Sequence, residues 1–240
     1  MDITSALVRK LGIGAKLDVE DISGIRSLPI AVKQLSSGET IASEGELATS
    51  CCLCIEGFIY RAKNTSDGDR QILSVHIPGD MPDLQSLHLR LMDHDLIAMT
   101  PCTAGFVPHA ALRRLVRSRA NVAEVLWRDT LIDSAIFREW MVNLGQRESL
   151  GRLAHFVLEM QRRLDAVGMV DGGSFRWPIV QHQMGEALGI SVVHVNRVLK
   201  ELREMGLMEV HGGMLTILDQ AGLVVVGQFD AAYLHDEQMH

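Results

Sequence analysis

The chain has 240 residues, of which 47% are hydrophobic and 22% are charged, a balance typical of globular protein with enough apolar residues for two modest cores. No apolar run approaches the roughly 18 residues of a membrane-spanning helix, and the first ten residues lack the apolar block of a secretion signal, so we expect a cytoplasmic protein that does not enter the membrane. The net charge of −7 argues mildly against nucleic-acid binding, although the basic side chains are concentrated between residues 109 and 167.

The N-terminal half predicts short helices followed by strands. Residues 3–28 mix polar and apolar side chains at helical spacing and are closed by Pro29. From Val32 onward, short apolar pieces alternate with turns such as Ser36-Ser37-Gly38 and Pro78-Gly79-Asp80. This alternation predicts a small antiparallel barrel or sandwich.

A helical region follows the predicted strands. Pro108 fits the first turn of a helix, and a second helix from about Ala120 to Leu144 carries apolar residues at spacings of three, four and seven. This stripe consists of Val122, Val125, Leu126, Ile132, Ile136 and Trp140. It could pack against the chain's own barrel, or it could pair with the same helix of a second copy about a two-fold axis.

A third helix is predicted from Ser149 to Val167, with a hinge at residues 143–148 before it. The basic residues of this region are Arg147, Arg152, Arg162 and Arg163. They could approach phosphates if the fold brings this helix to a duplex, or they could form an ordinary solvated face.

Residues 181–203 predict two short helices that are broken at Gly189, because Gly can adopt the positive φ that ends a helix and Ser191 can cap the next one. The apolar stripes are Met184, Ala187 and Leu188 in the first helix, and Val195, Val198, Leu199 and Leu202 in the second. The second helix is expected to expose Val192, Val193, His194, Asn196, Arg197 and Lys200. Arg and Asn on an exposed helix suit the major groove, where they bind guanine and adenine.

Apolar residues flank Gly212-Gly213 within residues 207–218, and this glycine pair suits a tight hairpin turn. A helix-turn-helix followed directly by a hairpin is a winged helix. Asp219 is a predicted N-cap for a last short apolar helix over residues 221–226.

The predicted winged helix and the strands before it resemble those of a known protein family. Residues 179–219 are similar to the winged-helix end of the cyclic-AMP receptor protein and FNR (Crp/Fnr) superfamily of bacterial transcription regulators. The matching residues are Gln183, Leu188, Gly189, Ser191, Val195, Arg197, Leu199, Leu202, Gly206 and Leu207. Segments 42–46, 54–61, 67–80 and 111–116 look like the family's double-stranded β-helix sensor domain. The resemblance therefore covers about residues 30–219.

The resemblance implies roles for single residues. Val192, Val193 and Arg197 match positions that read bases, whereas Ser191 and Gln181, with His182 beside it, match the phosphate-contacting end of the motif. Val193 stands where well-known members have a Glu that accepts from cytosine, so the half-site should differ from theirs. His194 and Asn196 could compensate, and Lys200 lies one turn further along the same face.

The sensor departs from the family pattern where cyclic nucleotides bind. Members that bind them carry a Gly-Glu-Leu and an Arg-Ser-Ala after the turn that corresponds to residues 78–80. Residues 81–102 contain neither, and Arg90 sits in no Arg-Ser-Ala. Losing that Arg removes roughly 2 to 5 kcal/mol of charge-assisted phosphate binding. We therefore predict no cyclic-nucleotide cofactor.

The cysteines and histidines bear on two other cofactors, an iron–sulfur cluster and a haem or metal ion. FNR-like members hold an iron–sulfur cluster on N-terminal cysteines, but Cys51, Cys52, Cys54 and Cys102 all lie later, and we interpret them as buried reduced thiols. His76, His88, His94 and His109 match no haem or metal spacing, which favours structural or solvent-facing roles. Neither cofactor is predicted.

The resulting prediction is an α+β protein. It has a double-stranded β-helix of the cyclic-nucleotide-binding jelly-roll type with N-terminal helices (1–108), a helical connector with the long dimerisation helix (109–144) and a C-terminal winged helix-turn-helix domain (145–240). Because this helix is the dimer contact in the family, the resemblance assigns its apolar stripe to the dimer contact. The expected function is a homodimeric Crp/Fnr-type regulator that binds two-fold symmetric double-stranded DNA and RNA polymerase. No catalytic motif is present, so no enzyme is predicted. The alternatives are a haem, iron–sulfur or redox-sensing regulator of the same fold, or a dimeric scaffold that has lost DNA binding.

Overall fold

Two short helices open the chain, as the sequence predicts. They are α1 (Ser5–Leu11) and α2 (Val19–Arg26) in a computed structural model that describes residues 3–89 and 91–236. Helix α2 begins with a capping box, because Asp18 accepts from the backbone N–H of Asp21 at 2.7 Å and Asp21 accepts from that of Asp18 at 3.1 Å. Arg90, which the sequence places outside an Arg-Ser-Ala motif, lies outside the described residues.

The predicted β-rich region is a jelly roll of two antiparallel sheets. Its strands are β1 (Ala31–Leu35), β2 (Thr40–Ala42), β3 (Ser50–Glu56), β4 (Ile59–Asn64), β5 (Arg70–His76), β6 (Asp95–Ala98) and β7 (Cys102–Pro108). They are arranged in the orders β1-β7-β3 and β2-β6-β4-β5. Apolar side chains of both sheets face each other, and this confirms the predicted fold of the sensor half.

The four cysteines belong to this interior. All are buried and none forms a disulfide. Burial raises the pKa of the Cys51 thiol to about 12 and that of Cys102 to about 11, so both thiols stay protonated at neutral pH. Protonated buried thiols pack as small apolar groups.

Helix α3 (His109–Ser118) and helix α4 (Ala120–Gln146) follow the roll. Pro108 is the residue before α3 rather than part of its first turn. Helix α4 continues through Gly145 and ends at Gln146, so the predicted hinge is reduced to Arg147 and Glu148 before α5 (Ser149–Ala166) begins.

The apolar stripe of α4 packs within the protomer, which corrects its assignment as the dimer contact. Val122, Val125 and Leu126 join a core with α1 and α2, while Ile136 and Trp140 join a core with α5 and Ile132 packs against it. We call these six residues the inner face of α4. The helical spacing of the apolar residues predicted the stripe correctly. It could not identify α1, α2 and α5 as the helices that cover the stripe, because they are separate elements of the chain.

The opposite side of α4 is also apolar but lies in solvent. We call it the outer face; its large side chains are Trp127, Leu131, Phe137, Met141 and Val142. Trp127 is 64% exposed and Met141 is 62% exposed. Large apolar groups left uncovered on one helix indicate a surface that another molecule covers.

The C-terminal region contains the predicted helix-turn-helix and wing. Its elements are β8 (Val170–Asp171), β9 (Ser174–Arg176), α6 (Gln181–Leu188), α7 (Val192–Glu204), β10 (Met208–His211), β11 (Met214–Ile217) and α8 (Gln220–Gly227). The strands pair in the order β10-β11-β9-β8. Asp219 caps α8 as predicted, by accepting from the N–H of Gly222 at 3.0 Å.

The C-terminal region packs directly on the roll. Gln71 of β5 donates to the carbonyl of Glu186 in α6 at 2.6 Å, and the apolar core of α5, α6 and α7 continues into Ile72 and Val75 of β5. After α8, a 3₁₀ turn at Ala231–Leu234 returns to α4. Within the described residues, no helix is both long and apolar enough to cross a bilayer.

Candidate nucleic-acid interface

The turn between α6 and α7 is built by local backbone chemistry. Gly189 adopts φ +65°, in the left-handed region that side chains with a Cβ disfavour, and it ends α6. Ser191 then accepts from the N–H of His194 and caps α7. Both predicted signals are therefore present, and they set the angle at which α7 leaves the domain.

Helix α7 has sharply different faces. Val195, Val198 and Leu202 are at most 1% exposed and hold the helix on α5. The opposite face presents Val192, Val193, Asn196, Arg197 and Lys200 to solvent. Val193 is 80% exposed, although it is apolar. Hence the side chains expected to contact bases project from a rigid helix.

His194 differs from its neighbours because it is half-buried. Its Nε2 lies 2.7 Å from Ser149 Oγ and 2.6 Å from Nη2 of Arg197. A guanidinium can only donate, so Nε2 accepts from Arg197 and the imidazole holds its proton on Nδ1. The sequence left His194 as a candidate base contact or a residue that covers the turn, and in the structure its ring contacts Ser149 and Arg197.

Gln181 and His182 are exposed at the N-terminus of α6. His182 Nε2 lies 3.3 Å from a carboxylate oxygen of Glu186, one turn later. Ser191 is exposed as well, and its cap leaves the hydroxyl hydrogen free to donate. The three residues predicted to contact the sugar-phosphate backbone are therefore accessible.

The wing completes this surface. Gly212 and Gly213 adopt φ +59° and +78°, which are the two positive values that a type I′ hairpin turn requires. The turn joins β10 and β11 as predicted and exposes His211 beside the glycines. The geometry of a winged helix with a free α7 is complete.

Two family models match this chain: a cyclic nucleotide-binding domain over residues 32–119 and a Crp-like helix-turn-helix domain over residues 151–225. The activator FnrA of Stutzerimonas stutzeri is 24% identical over 221 residues, 90% of this chain and 88% of FnrA. The chain belongs to the Crp/Fnr family of transcription regulators.

Two further relatives extend the match to this Crp/Fnr regulator. FixK of Bradyrhizobium diazoefficiens is 27% identical over 216 residues, 89% of each chain. The structure of FixK2 from Bradyrhizobium japonicum superposes with a TM-score of 0.76 at 25% identity, and it covers 85% of this chain and all of that one. FixK is named a nitrogen fixation regulation protein, and the present chain is a transcription regulator of the Crp/Fnr type.

The four arginines that preceded the helix-turn-helix in sequence are used within the Crp/Fnr regulator itself. Arg147 pairs with Glu139 and Arg152 donates to the carbonyl of Leu188, which fastens the end of α6. Arg162 pairs with Asp236, and Arg163 pairs with Asp80 and Glu159. All four arginines therefore make contacts around α5, and Arg162 among them remains 47% exposed.

The sensor of the Crp/Fnr regulator encloses a small cavity of about 80 Å³ between the roll, α4 and α5. Its charged lining residues are Lys10, Arg61, Asp80, Asp129, Asp133 and Arg163. Arg61 is occupied, since its Nη1 pairs with Asp133 at 2.6 Å and its Nε donates to the Pro82 carbonyl at 2.6 Å. Opposite charges thus neutralise one another inside the cavity.

Within the described residues, no cluster of three or more His, Cys, Asp or Glu side chains has the arrangement of a metal site. Burial dominates the titration of the nearby histidine, because desolvation and the charge of Arg61 lower the pKa of His76 to about 4. His76 is therefore neutral and hydrogen-bonded to Ser74 at 2.8 Å. No local sequence signal marks the charged residues of the cavity, because they come from five different elements and loops.

Proposed function

We propose that this Crp/Fnr regulator is a cytoplasmic homodimer that binds a two-fold symmetric site in double-stranded DNA, with α7 of each protomer in a major groove. The observation that carries the proposal is the face of α7, where Arg197, Asn196 and Val193 lie in solvent on a helix whose other side is locked into the core. A helix presented in this way can contact base edges without rearrangement of the domain.

The exposed side chains divide into two chemical groups. Arg197 donates two parallel hydrogen bonds to a guanine, Asn196 pairs with an adenine, and Val192 and Val193 offer methyl groups to thymine. Lys200, Gln181, His182 and Ser191 contact phosphates, which sets the position on the duplex and adds affinity for any sequence. His194 fixes the guanidinium of Arg197 before binding.

The outer face of α4 forms the two-fold contact. Trp127 and Met141 lie on the same side of the helix, because their separation of 14 residues is close to four turns. Pairing this face with its copy covers the largest exposed apolar groups on α4 and brings two α7 helices into one particle. One α7 per protomer then reaches half-sites one helical turn apart.

Cyclic AMP is not the signal in this proposal. A cavity of about 80 Å³ is far smaller than the roughly 300 Å³ of ordinary small-molecule sites. A cyclic phosphate placed there would also meet the carboxylates of Asp80, Asp129 and Asp133, while Arg61 is already paired. Calorimetric titration with cyclic AMP should show no binding at millimolar nucleotide, and the affinity for DNA should not change.

RNA polymerase is the second macromolecular partner. FnrA is named a transcriptional activator, and an activator bound beside a promoter acts by contact with polymerase. In vitro transcription from a template that carries the selected site should rise when the regulator is added. Transcription that falls at every spacing between site and promoter would assign the protein as a repressor instead.

Selection from a random duplex library followed by binding at fixed salt tests DNA recognition. Arg197→Ala should lose about 1 to 3 kcal/mol of binding free energy and relax the guanine preference at one position per half-site. Lys200→Ala is the matched comparison, since it should weaken binding to all sequences alike and reduce the salt slope by about one. Unchanged guanine selectivity in Arg197→Ala would refute the assignment.

A further inference from the structure

Asp80 is a buried carboxylate outside the DNA-reading surface, and it contacts several parts of the fold at once. It lies in the turn after β5 and is 2% exposed. Lys10 Nζ of α1 lies 2.7 Å from one carboxylate oxygen, while Nη2 of Arg163 in α5 lies 2.8 Å from the other. The N–H of Ile77 donates to the same carboxylate at 3.0 Å.

The partners of Asp80 extend this contact through the protein. Lys10 also pairs with Asp129 of α4 at 3.0 Å, and Arg163 also pairs with Glu159 at 3.3 Å. Glu159 in turn accepts from Nε1 of Trp140 at 3.1 Å and from the hydroxyl of Tyr233 at 2.9 Å. A continuous chain of polar contacts, in which Asp80 and Glu159 are buried, therefore joins the sensor, α4, α5 and the C-terminal segment.

The charges in this chain depend on one another. Burial alone would raise the pKa of Asp80, but Lys10 and Arg163 hold it well below its usual range, so the carboxylate is ionised. Removing either cation leaves the buried carboxylate with one cation instead of two, which is more costly than losing an exposed ion pair. The contact therefore favours one relative placement of α5 and the roll.

Only Arg147 and Glu148 separate α4 from α5, so the placement of the C-terminal domain depends on contacts across the junction. We propose that Asp80 is a positioning residue for DNA recognition, which acts through Arg163 to hold the C-terminal domain in the orientation that reads DNA. In this orientation α6 rests on β5 while the face of α7 remains in solvent. Without the contact, the apolar packing of α5 and α6 on the roll remains, but a smaller fraction of the protein holds this orientation, in which the two α7 helices share one register.

The effect on DNA affinity follows from the fraction of protein that holds the DNA-reading orientation. A site that needs both α7 helices in register is bound only by the fraction of protein in that orientation, and the apparent Kd rises in proportion as the fraction falls. Binding to random-sequence duplex needs no register, because it depends on phosphate contacts. Loss of the Asp80–Arg163 contact should therefore reduce specificity more than total DNA affinity.

The test uses the full chain and compares Arg163→Met with Lys63→Met. Lys63 pairs with Glu44 at 2.8 Å on the exposed surface of the roll. The control therefore removes one cation without changing the contacts between the roll and α5. Arg163→Met should weaken binding to the duplex selected by the wild type about tenfold and leave binding to random duplex within about twofold. Arg163→Lys, which keeps the charge, should recover part of the loss, and Lys63→Met should behave as wild type.

The DNA readout rests on the proposed function, so a second readout is independent of DNA. Trypsin cleavage after Arg147, whose side chain is only 11% exposed, should accelerate about tenfold in Arg163→Met and in Asp80→Asn. If Arg163→Met does not unfold cooperatively, Arg163→Lys and Asp80→Asn serve for both measurements. If the wild type binds the selected duplex no more tightly than random duplex, the proposed function is refuted, whereas the trypsin comparison still tests the positioning role.

Two outcomes would overturn the positioning role. One is tighter binding of Arg163→Met to the selected duplex, which would mean that the contact holds an orientation unable to read DNA. The other is unchanged cleavage after Arg147 together with equal losses on selected and random duplexes, since a general loss of stability or charge explains that pattern without any change of orientation.

Discussion

The two faces of helix α4 carry the same kind of side chain but have different surroundings. Trp140 on the inner face is 6% exposed, packs edge-on against Phe156 with ring centres 5.4 Å apart, and donates to Glu159. Trp127 on the outer face is 64% exposed. The contrast teaches that an apolar stripe specifies burial but not which molecule provides it.

The largest expected effect lies on the inner face. Trp140→Ala removes a buried ring and leaves Glu159 without one donor, so the free energy of unfolding should fall by about 3 to 5 kcal/mol in urea titration. Val225→Ala, at a side chain that is 77% exposed, should stay within about 0.5 kcal/mol of wild type. Equal stabilities for the two variants would contradict the burial assigned to this face.

The next effect is the pH dependence of the free energy of unfolding, which we assign to His155 of α5. Burial, with the charge of Arg147, lowers the pKa of His155 to about 4 from an ordinary value of 6.5. Between these values the unfolded chain binds a proton that the folded one does not, so the free energy of unfolding falls as the pH drops from 6.5 to 4. The loss is at most about 3 kcal/mol for this group.

His155→Gln should reduce that slope in urea titrations at several pH values, and the remaining slope includes the share of His76, whose pKa is also lowered to about 4. His182→Gln, at an exposed side chain, should keep the wild-type slope. The neutral amide can replace the hydrogen bond to the Gly227 carbonyl, which His155 Nδ1 makes at 3.2 Å. A wild-type slope in His155→Gln would assign the acid sensitivity to other groups.

The outer face should show the opposite behaviour to the inner one. Trp127→Glu places a charge in the proposed two-fold contact and should weaken dimerisation by about 2 kcal/mol or more. Sedimentation velocity should detect monomer, while the spectroscopic signature of the fold is retained. A variant that remains dimeric at low micromolar concentration would place the two-fold contact elsewhere.

The smallest effect is expected at His194. His194→Ala frees Arg197 from its intramolecular acceptor and should weaken binding to the selected duplex by about 1 kcal/mol, with part of the loss at the guanine read by Arg197. His194→Gln supplies another acceptor and should recover some affinity. Loss of preference at a different base pair would show instead that His194 itself contacts DNA.

Local chemistry explains the sequence predictions that were confirmed. Gly189 and Ser191 end one helix and begin the next through their own backbone and side chain, and the Gly212-Gly213 turn needs only its two positive φ values. Alternation and turn residues likewise predicted the roll. Each of these signals acts within a few residues, so one chain suffices to read it.

The sequence alone therefore determined the order of elements, the winged helix and the chemistry displayed on α7. Only the tertiary structure decided that the inner face of α4 is covered within the protomer, that His194 contacts Arg197, and that Lys10 and Arg163 meet at the buried Asp80. These contacts join residues far apart in the chain. A hydrophobic period or an ionisable side chain has no partner until the fold brings one within a few ångströms, and that proximity decides which side chains remain free for DNA.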